Sequence, residues 1–484
     1  MRSSFSFLPA LTRASCIILI ILHLMSTASA IPPRRIICGM KILSVLALLA
    51  VLAYLPSQKL PLISDDYGQI GLSREYGPVS GWGALAGDAL YRCRATSLIL
   101  THLTELLFGL SPAAFHASSL GLHILNVWLI LALGSWPVIG WRNAAVAAGF
   151  FAVFEGPQEA VIWYAAVHEP LLLFFALLCC HAWLAWNRFG RWRFYGAALI
   201  LFILALLSKE SAVALIPLLF LFALVDGRPW KAALVHLLPF AVLAVIYTLL
   251  VFAASSTHIH LNDAGTFSLH APFWANWARS VLRLLWPWGL ALLLVLAIFR
   301  GAGQARLLTV GAAWIGIGLL PYSFLTYMPR VPSRHTYLAS AGLALIAAAG
   351  FWAIWERVGN RRWVAWALAA VFVAHQCAYL WFKKQGNYLE RAAPTEELVA
   401  QAAKADGAIY VHCFPYDFEI AERAVRLRLN KTVYPLISGR ALSEIEDRAH
   451  VYCANPQEHW LRSATPSRDA PSTPPATPEQ VTAR

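Results

Sequence analysis

Residues 232–254 read AALVHLLPFAVLAVIYTLLVFAA, a run of 23 residues without Asp, Glu, Lys or Arg. As an α-helix this run would rise about 34 Å, and the hydrocarbon core of a bilayer is about 30 Å thick. Similar runs recur through a chain of 484 residues that is 59% hydrophobic and 13% charged. Soluble domains carry about 25% charged residues. The composition therefore excludes an ordinary soluble enzyme and predicts an all-α polytopic membrane protein in contact with membrane lipids.

Ten other apolar runs flank this one on both sides. With it, they predict eleven membrane-spanning helices, at residues 42–56, 115–137, 144–165, 169–187, 194–208, 211–226, 232–254, 281–299, 307–326, 337–355 and 363–382. The net charge of +13 comes from basic residues in short clusters between these runs. That spacing is typical of the positive-inside rule, whereas a nucleic-acid-binding protein concentrates basic residues on one face. We therefore expect no nucleic-acid partner.

The basic clusters also give an orientation. If Arg34, Arg35 and Lys41 are cytoplasmic, strict alternation places every later cluster between apolar runs in the cytoplasm as well. We expect the inner membrane of a bacterium, with the C-terminus exoplasmic. Only 12 of the 25 acidic residues precede Glu390. Ten of these 12 fall on or near the exoplasmic face: Asp65, Asp66, Glu75, Asp88, Glu105, Glu155, Glu159, Glu169, Glu210 and Asp263. Any chemistry is expected on that face.

The chain divides into four parts by composition. Residues 1–39 resemble a secretory signal, although translation from Met40 is an equal alternative. Residues 40–390 form the predicted membrane domain with an exoplasmic loop at 57–114, and 391–462 predict a small exoplasmic α/β domain with a strand, a helix and a second strand. The tail 463–484 is rich in Pro, Ser, Thr and Ala, which favours disorder. Within the α/β domain, Cys413 and Cys453 are either a disulfide pair or two small buried thiols.

A pair of carboxylates, Asp65-Asp66, follows the first predicted span. Adjacent carboxylates at a membrane surface can act as a general base or bind a divalent cation such as Mg or Mn. The alternative is a solvated turn, in which Asp is common.

Two acidic stretches come next. Gly156-Pro157 should interrupt the third span between Glu155 and Glu159, and irregular backbone at this depth is tolerated where it lines a cavity or is buried in protein. Lys209 and Glu210 join two predicted helices too short to cross a bilayer comfortably, so we expect them below the exoplasmic surface. The alternative for the stretch from Glu155 to Glu159 is an ordinary helix end. The alternative for Lys209 and Glu210 is a structural ion pair.

Histidine and arginine complete the set. His116 and His123 are seven residues apart and share one helix face. Arg334-His335 precedes the tenth span, and an arginine fork suits phosphate oxygens. Each could also be a packed or interfacial residue, and their order along the chain is more informative than any one of them.

In that order the segments resemble the C-type (GT-C) membrane glycosyltransferases, in particular the protein O-mannosyltransferase-like, TMTC-type branch, without its tetratricopeptide repeats. The resemblance covers residues 40–355 and departs from the family pattern at Cys93, Ser119, Glu155-Gly156 and His335. Six motifs carry it: Asp65-Asp66, Tyr91-Arg92, Gly109-Leu-Ser-Pro-Ala-Ala-Phe-His116 with His123, Glu159-Ala-Val-Ile-Trp163 with Glu169, Leu206-Leu-Ser-Lys-Glu210, and Arg334-His-Thr-Tyr337-Leu-Ala-Ser340.

The resemblance implies transfer of a sugar from a polyprenyl-phosphate-linked donor to a hydroxyl of a protein, glycan or lipid acceptor. It makes Asp65 the general base, with Asp66 positioning it or binding the metal, if one is used. The residues expected to bind the donor phosphate are Arg92, Arg94, Lys209, Arg334 and His335. Those expected to bind sugar or acceptor are His116, Glu159, Trp163, Glu169, Glu210 and Tyr337.

Two other classes of protein remain open. A transporter or flippase for polyprenyl-linked glycans would also have a polar cavity, but we would expect broken helices in paired halves and charges at the membrane midplane. An inactive membrane scaffold whose C-terminal part binds partners would tolerate the loss of Asp65 and Asp66.

Overall fold

The computed structural model describes residues 33–77, 83, 89–253, 255, 261, 265–299, 304–326, 330–412, 414–435, 450–455 and 460–464. Of residues 33–39, 89, 90, 92, 93, 412, 450–455 and 460–464 only the backbone is described. The chain divides into two compact units. We call the first, which runs to Leu60 and continues over Leu72–Asn387, the membrane unit. The second, Pro61–Gly71 together with the chain from Tyr388 onward, is the C-terminal unit.

Helices dominate both units. In chain order they are α1 Pro33–Tyr54, α2 Asp66–Tyr76, α3 Ala89–Phe108, α4 Pro112–Ala132, α5 Gly140–Val153, α6 Glu159–Ile162, α7 His168–Phe189, α8 Trp192–Leu206, α9 Leu215–Val225, α10 Trp230–Ala253, α11 Phe273–Leu285, α12 Trp288–Ile298, α13 Ala305–Leu319, α14 Tyr337–Arg357, α15 Trp363–Ala378, α16 Gln385–Lys404 and α17 Phe418–Leu429. Short 3₁₀ turns lie at Leu55–Lys59, Leu133–Ser135, Tyr164–Ala166, Glu210–Ala214, Leu320–Phe324 and Ser333–Thr336, and a π-helical turn, Tyr379–Lys384, joins α15 to α16.

Seven helical segments in the described chain are long and apolar enough to cross a membrane: Met40–Lys59, Pro112–Ser135, Tyr164–Phe189, Trp230–Ala253, Ala305–Phe324, Ser333–Arg357 and Trp363–Lys404. The pair α11 and α12, bent by 81°, makes an eighth if it is one span. Each of these matches a predicted span. The structure thus confirms an all-α membrane fold but not the count of eleven.

The three remaining predicted spans do not form helices long enough to cross a membrane, as the sequence already indicated for the two that flank Lys209 and Glu210. The span expected at 144–165 ends as α5 at Val153, because Gly156-Pro157 follows and the chain resumes only as the single turn α6. Helix α8 has 15 residues and α9 has 11. At 1.5 Å per residue neither spans about 30 Å of hydrocarbon by itself. The turns that end these short elements carry several of the predicted site residues.

Close packing of α13 against α14 fixes one side of the membrane unit. A Cβ on Gly342 would lie 2.5 Å from the carbonyl oxygen of Gly311, and a Cβ on Gly311 would lie 2.8 Å from that of Gly342. Only glycine permits this approach, which small residues commonly provide between membrane helices. The turn Leu320–Phe324 follows α13 and the turn Ser333–Thr336 precedes α14. Both turns therefore lie at the same end of this helix pair.

The C-terminal unit contains a four-stranded sheet in the order β2-β1-β3-β4. The strands are β1 Ile409–His412, β2 Val433–Pro435, β3 His450–Asn455 and β4 Trp460–Ala464. Strand β1 is parallel to β2 and β3, whereas β3 and β4 are antiparallel. Strand β1, helix α17 and strand β2 match the predicted strand, helix and strand, whereas β3 and β4 are additional.

Several predictions concern residues outside this description. Residues 1–32 and 465–484 lie outside it, so the two interpretations of the N-terminal segment and the disordered tail stay predictions. The Cys413 and Cys453 side chains also lie outside it, although the backbone of Cys453 is in register with that of His412. The loop predicted at 57–114 contains α3, a helix of 20 residues that the sequence analysis did not anticipate.

Candidate active site

The centre of the polar cluster in the membrane unit is Glu169, in the first turn of α7. Its side chain is fully buried, Oε1 forms an ion pair with Nζ of Lys209, and Oε2 accepts a hydrogen bond of 2.9 Å from the Tyr322 hydroxyl. Nε2 of His168 lies 3.9 Å from Oε1. We call His168, Glu169, Lys209, Tyr322 and His335 the Glu169 cluster. Buried charges in a membrane protein are costly unless paired, and they commonly mark a functional site.

Lys209 reaches Glu169 because α8 ends early. The chain turns after Leu206 and resumes as the 3₁₀ turn Glu210–Ala214, which leaves Lys209 extended between them, with φ −163° and ψ 141°. Its side chain is 6% exposed. The turn is tied to α3, since the amide of Thr96 donates a 3.1 Å hydrogen bond to the carbonyl of Leu207. This tie also brings Arg94 of α3 to the turn, with Nη1 3.7 Å from Oε2 of Glu210.

Tyr322 and His335 meet at the shared end of α13 and α14. Their rings stack with centroids 4.5 Å apart, and both side chains are buried. Nζ of Lys209 lies 4.7 Å from the Tyr322 ring centroid, within the range of a cation–π contact. The stack places an imidazole beside the buried Lys209–Glu169 pair.

A second polar group, Glu159 with Arg334, lies between α6 and the turn before α14. Oε2 of Glu159 is 3.6 Å from Nη1 of Arg334 and accepts a 3.3 Å hydrogen bond from its backbone amide. The Glu159 amide in turn donates to Oγ of Ser333 at 3.2 Å. The guanidinium lies 4.9 Å from the Trp163 ring centroid. Glu159, Trp163 and Arg334, predicted from separate motifs, are therefore brought together, with about a fifth of the Arg334 and Glu159 side chains exposed (23% and 21%).

Asp65 and Asp66 belong to the C-terminal unit, and the structure gives them different roles. Asp66 is fully buried, and its Oδ2 accepts a 2.8 Å hydrogen bond from the amide of Ile63. Asp65 is exposed, one residue after Ser64, whose φ of 39° is in the left-handed region. Burial raises the pKa of Tyr416, Arg391 opposes this, and the Asp65 carboxylate raises it further. The turn thus presents Asp65 while Asp66 holds its shape.

Other predicted residues lie elsewhere. The Tyr337 hydroxyl is fully buried and contacts Nδ1 of His123 at 2.8 Å and Nδ2 of Asn126 at 3.3 Å, inside the helix bundle. His116 is fully buried on α4. The side chain of Arg92 lies outside the described residues, so its predicted role is untested.

A metal site was one expectation for Asp65-Asp66. Among the described residues, no group of three or more His, Cys, Asp or Glu side chains is arranged to hold a metal ion. One oxygen of Asp66 is already occupied by the Ile63 amide. The binding of a Mg or Mn ion by Asp65 and Asp66 stays a prediction.

Sequence reasoning missed Tyr322 and assigned no role to His168. Tyr322 follows Pro321 at the end of the ninth predicted span, and a tyrosine there is usually an interfacial anchor. His168 directly precedes Glu169. Their position could have identified them, since both residues lie near the predicted exoplasmic ends of predicted spans.

Comparison with solved structures shows the fold. The crystal structure of ArnT from Cupriavidus metallidurans bound to undecaprenyl phosphate matches with a TM-score of 0.50 and 13% identity over 84% of this chain and 87% of that one. Two structures of the Archaeoglobus fulgidus oligosaccharyltransferase, one tethered with an acceptor peptide and one in complex with Zn and sulfate, match with TM-scores of 0.48 and 0.47, each at 13% identity over 81% of this chain. This chain covers 63% and 62% of their length. No protein-family model and no curated protein matches the sequence.

Proposed function

We propose that this chain, which has the GT-C fold of membrane glycosyltransferases, transfers a sugar from a polyprenyl-phosphate carrier to an acceptor hydroxyl on the exoplasmic face. The observation that carries the proposal is the Glu169 cluster, in which Glu169 and Lys209 are buried at the ends of apolar helices. ArnT, which shares the fold, has been crystallised with undecaprenyl phosphate. A carrier of this class suits helices that already lie in lipid.

The reaction needs a base for the acceptor and cations for the leaving group. In our proposal the acceptor oxygen attacks the anomeric carbon and loses its proton to Asp65. The bond between the anomeric carbon and the phosphate oxygen breaks, and the polyprenyl phosphate leaves with the bonding electrons. A positioned base contributes roughly 10²- to 10⁴-fold to such a rate. Asp65 suits this role because its carboxylate is exposed on a constrained turn.

The leaving phosphate gains negative charge, which preorganised cations stabilise. Arg94, Lys209, Arg334 and His335 are our candidates in the membrane unit. Arg334 is best placed, because 23% of its side chain is exposed and Trp163 supports its guanidinium from one side. Lys209 is paired with Glu169. We therefore propose that it contributes to the electrostatic potential of the site and does not contact the phosphate directly. Glu159 remains our candidate for sugar hydroxyls.

The alternative of a transporter gains no specific support. An inverted-repeat transporter would be expected to show broken helices in corresponding positions of its two halves. Among the described residues one such pair, α11 with α12, is bent by 81° at a short break between its helices.

The test is to purify the protein in native lipid and identify co-purifying polyprenyl-phosphate sugars by mass spectrometry, then to add acceptors and follow release of the polyprenyl phosphate. Arg334→Met should lose the bound lipid, whereas Arg357→Met, at the opposite end of α14, should retain it. Equal lipid occupancy in both variants would contradict the assignment of Arg334. Passage of the lipid-linked glycan across a vesicle membrane without consumption would favour the transporter.

A further inference from the structure

We propose that α16 and α17 clamp the turn that carries Asp65, so that Glu396, Arg423 and Arg428 are positioning residues for the transfer reaction. This inference rests on the proposed function of Asp65. It assigns the C-terminal unit a part in catalysis, because the clamp and the turn belong to the same unit.

The first contact is made at Tyr67, two residues after Asp65. The Tyr67 side chain is fully buried, and its hydroxyl donates a 2.8 Å hydrogen bond to Oε1 of Glu396 on α16. Nη1 of Arg428, on α17, donates to the Tyr67 oxygen at 3.1 Å and to Oε1 of Glu396 at 3.3 Å. The three side chains form a closed triangle in which the phenol, the carboxylate and the guanidinium all contact one another. Hydrogen bonds with charged partners are stronger than neutral ones.

The second contact is made by Arg423, one and a half turns earlier on α17. Its side chain is 8% exposed, and Nη1 donates a 2.9 Å hydrogen bond to the carbonyl oxygen of Gly68. A Cβ on Gly71 would lie 2.8 Å from the same Nη1 atom. Glycine at 71 therefore leaves the space that the guanidinium occupies. Nη2 of Arg423 also pairs with Oε1 of Glu419 on the same helix at 2.5 Å, which compensates the charge of the buried guanidinium.

The turn has reason to need external support. Ser64 has a φ of 39°, a conformation that costs a non-glycine residue about 1–3 kcal/mol and persists where the surroundings over-determine it. Asp66 supports the turn from within, through its hydrogen bond with the Ile63 amide. Tyr67 and Gly68 attach the following residues to α16 and α17. The strained turn is thus fixed on both sides of Asp65.

Fixing the turn matters because a base works only when it is aligned with the proton it removes. A displacement of about 1 Å can cost about 10²-fold in rate, even when the substitution is distant from the reacting atoms. If α16 and α17 hold Asp65, loss of the clamp should lower kcat and leave the KM for the lipid donor unchanged. A purely structural contact would predict no such separation of kcat from KM.

The test compares Arg428→Met, Arg428→Lys and Tyr67→Phe in the full-length protein, with Arg426→Met as the matched control. Arg426 lies on the same helix and pairs with Glu422 at 3.5 Å. Two quantities are measured for each variant: hydrogen–deuterium exchange of the amides at 66–71, and kcat and KM for transfer. We expect faster exchange and a kcat lowered about 10- to 100-fold in Arg428→Met, partial recovery in Arg428→Lys, and no change in Arg426→Met. Tyr67→Phe keeps the ring and should show the same effect more weakly.

Asp65→Asn is measured alongside to separate the two proposals. If Asp65→Asn is inactive while Arg428→Met and Tyr67→Phe exchange and turn over normally, the clamp is wrong and the proposed function stands. Faster exchange with an unchanged kcat would likewise overturn the positioning role. If Asp65→Asn transfers sugar at the full rate, Asp65 is not the base and the clamp proposal fails together with it.

Discussion

Glu169 accepts a 2.9 Å hydrogen bond from the Tyr322 hydroxyl on one carboxylate oxygen and pairs with Lys209 on the other. All three residues are at most 4% exposed. A carboxylate shared in this way between a cation and a phenol is satisfied at both oxygens. The arrangement predicts that removing any one of the three side chains destabilises the protein, because it leaves a buried polar group without its partner.

Removing one charge of the pair should be more damaging than removing both. Lys209→Met or Glu169→Gln alone should lower the free energy of unfolding by about 3–5 kcal/mol, because the remaining group is left buried without its partner. The double variant should lose less than either single variant. Unfolding of the purified protein in detergent measures all three. Additive losses would show that the two side chains do not interact.

Tyr322→Phe tests the hydrogen bond without disturbing the stack on His335. The ring remains, and one oxygen of Glu169 loses its donor. We expect a loss of about 1–3 kcal/mol in unfolding free energy and a lower transfer rate. Unchanged stability would indicate that Tyr322 contributes packing alone.

The close approach of α13 to α14 predicts how glycine substitutions change the stability of the protein. Gly342→Ala places a methyl group 2.5 Å from a backbone oxygen that cannot move aside, so it should destabilise the protein by about 1–3 kcal/mol. Gly196→Ala is the control, because no atom lies within 4 Å of the added Cβ on α8. That variant should be neutral or more stable by up to about 1 kcal/mol. Similar stabilities for the two variants would contradict the packing described here.

Tyr67 predicts a response to alkaline pH. Burial raises its pKa above the ordinary value of 10.0, Glu396 raises it further, and Arg428 opposes them. Because the folded chain favours the neutral phenol, this contribution to stability is complete below about pH 10 and is lost as the pH rises further. Between about pH 8 and about pH 11, wild type should lose more unfolding free energy than Tyr67→Phe. Equal losses would show that the phenol is not held neutral by the fold.

The sequence was most informative where one helix fills one apolar run. Residues 232–254 behave as predicted, since α10 covers Trp230–Ala253. Residues 144–165 do not, because Gly156-Pro157 ends the helix earlier than hydrophobicity alone indicates. Hydropathy does not distinguish a helix that crosses the membrane from two short ones that end within it, which is why eleven spans were predicted.

The candidate site was also predicted only in part from the sequence. Order along the chain identified Glu159, Trp163 and Arg334, which the structure brings together. It did not pair Lys209 with Glu169, which are 40 residues apart, nor identify Tyr322 as their third partner. It also placed Pro61–Gly71 in the membrane domain, whereas this segment belongs to the C-terminal unit. Such pairings depend on tertiary packing, which leaves no local pattern.

The central claim is that Asp65 is the base of a sugar transfer, and the most direct measurement is the single-turnover rate of Asp65→Asn with a polyprenyl-phosphate sugar. Glu356→Gln, which neutralises an exposed carboxylate at the opposite end of α14 from Arg334, is the control. We predict a rate about 10²- to 10⁴-fold below wild type for Asp65→Asn, with normal folding and donor binding, and a wild-type rate for Glu356→Gln. A wild-type rate in Asp65→Asn would contradict the account.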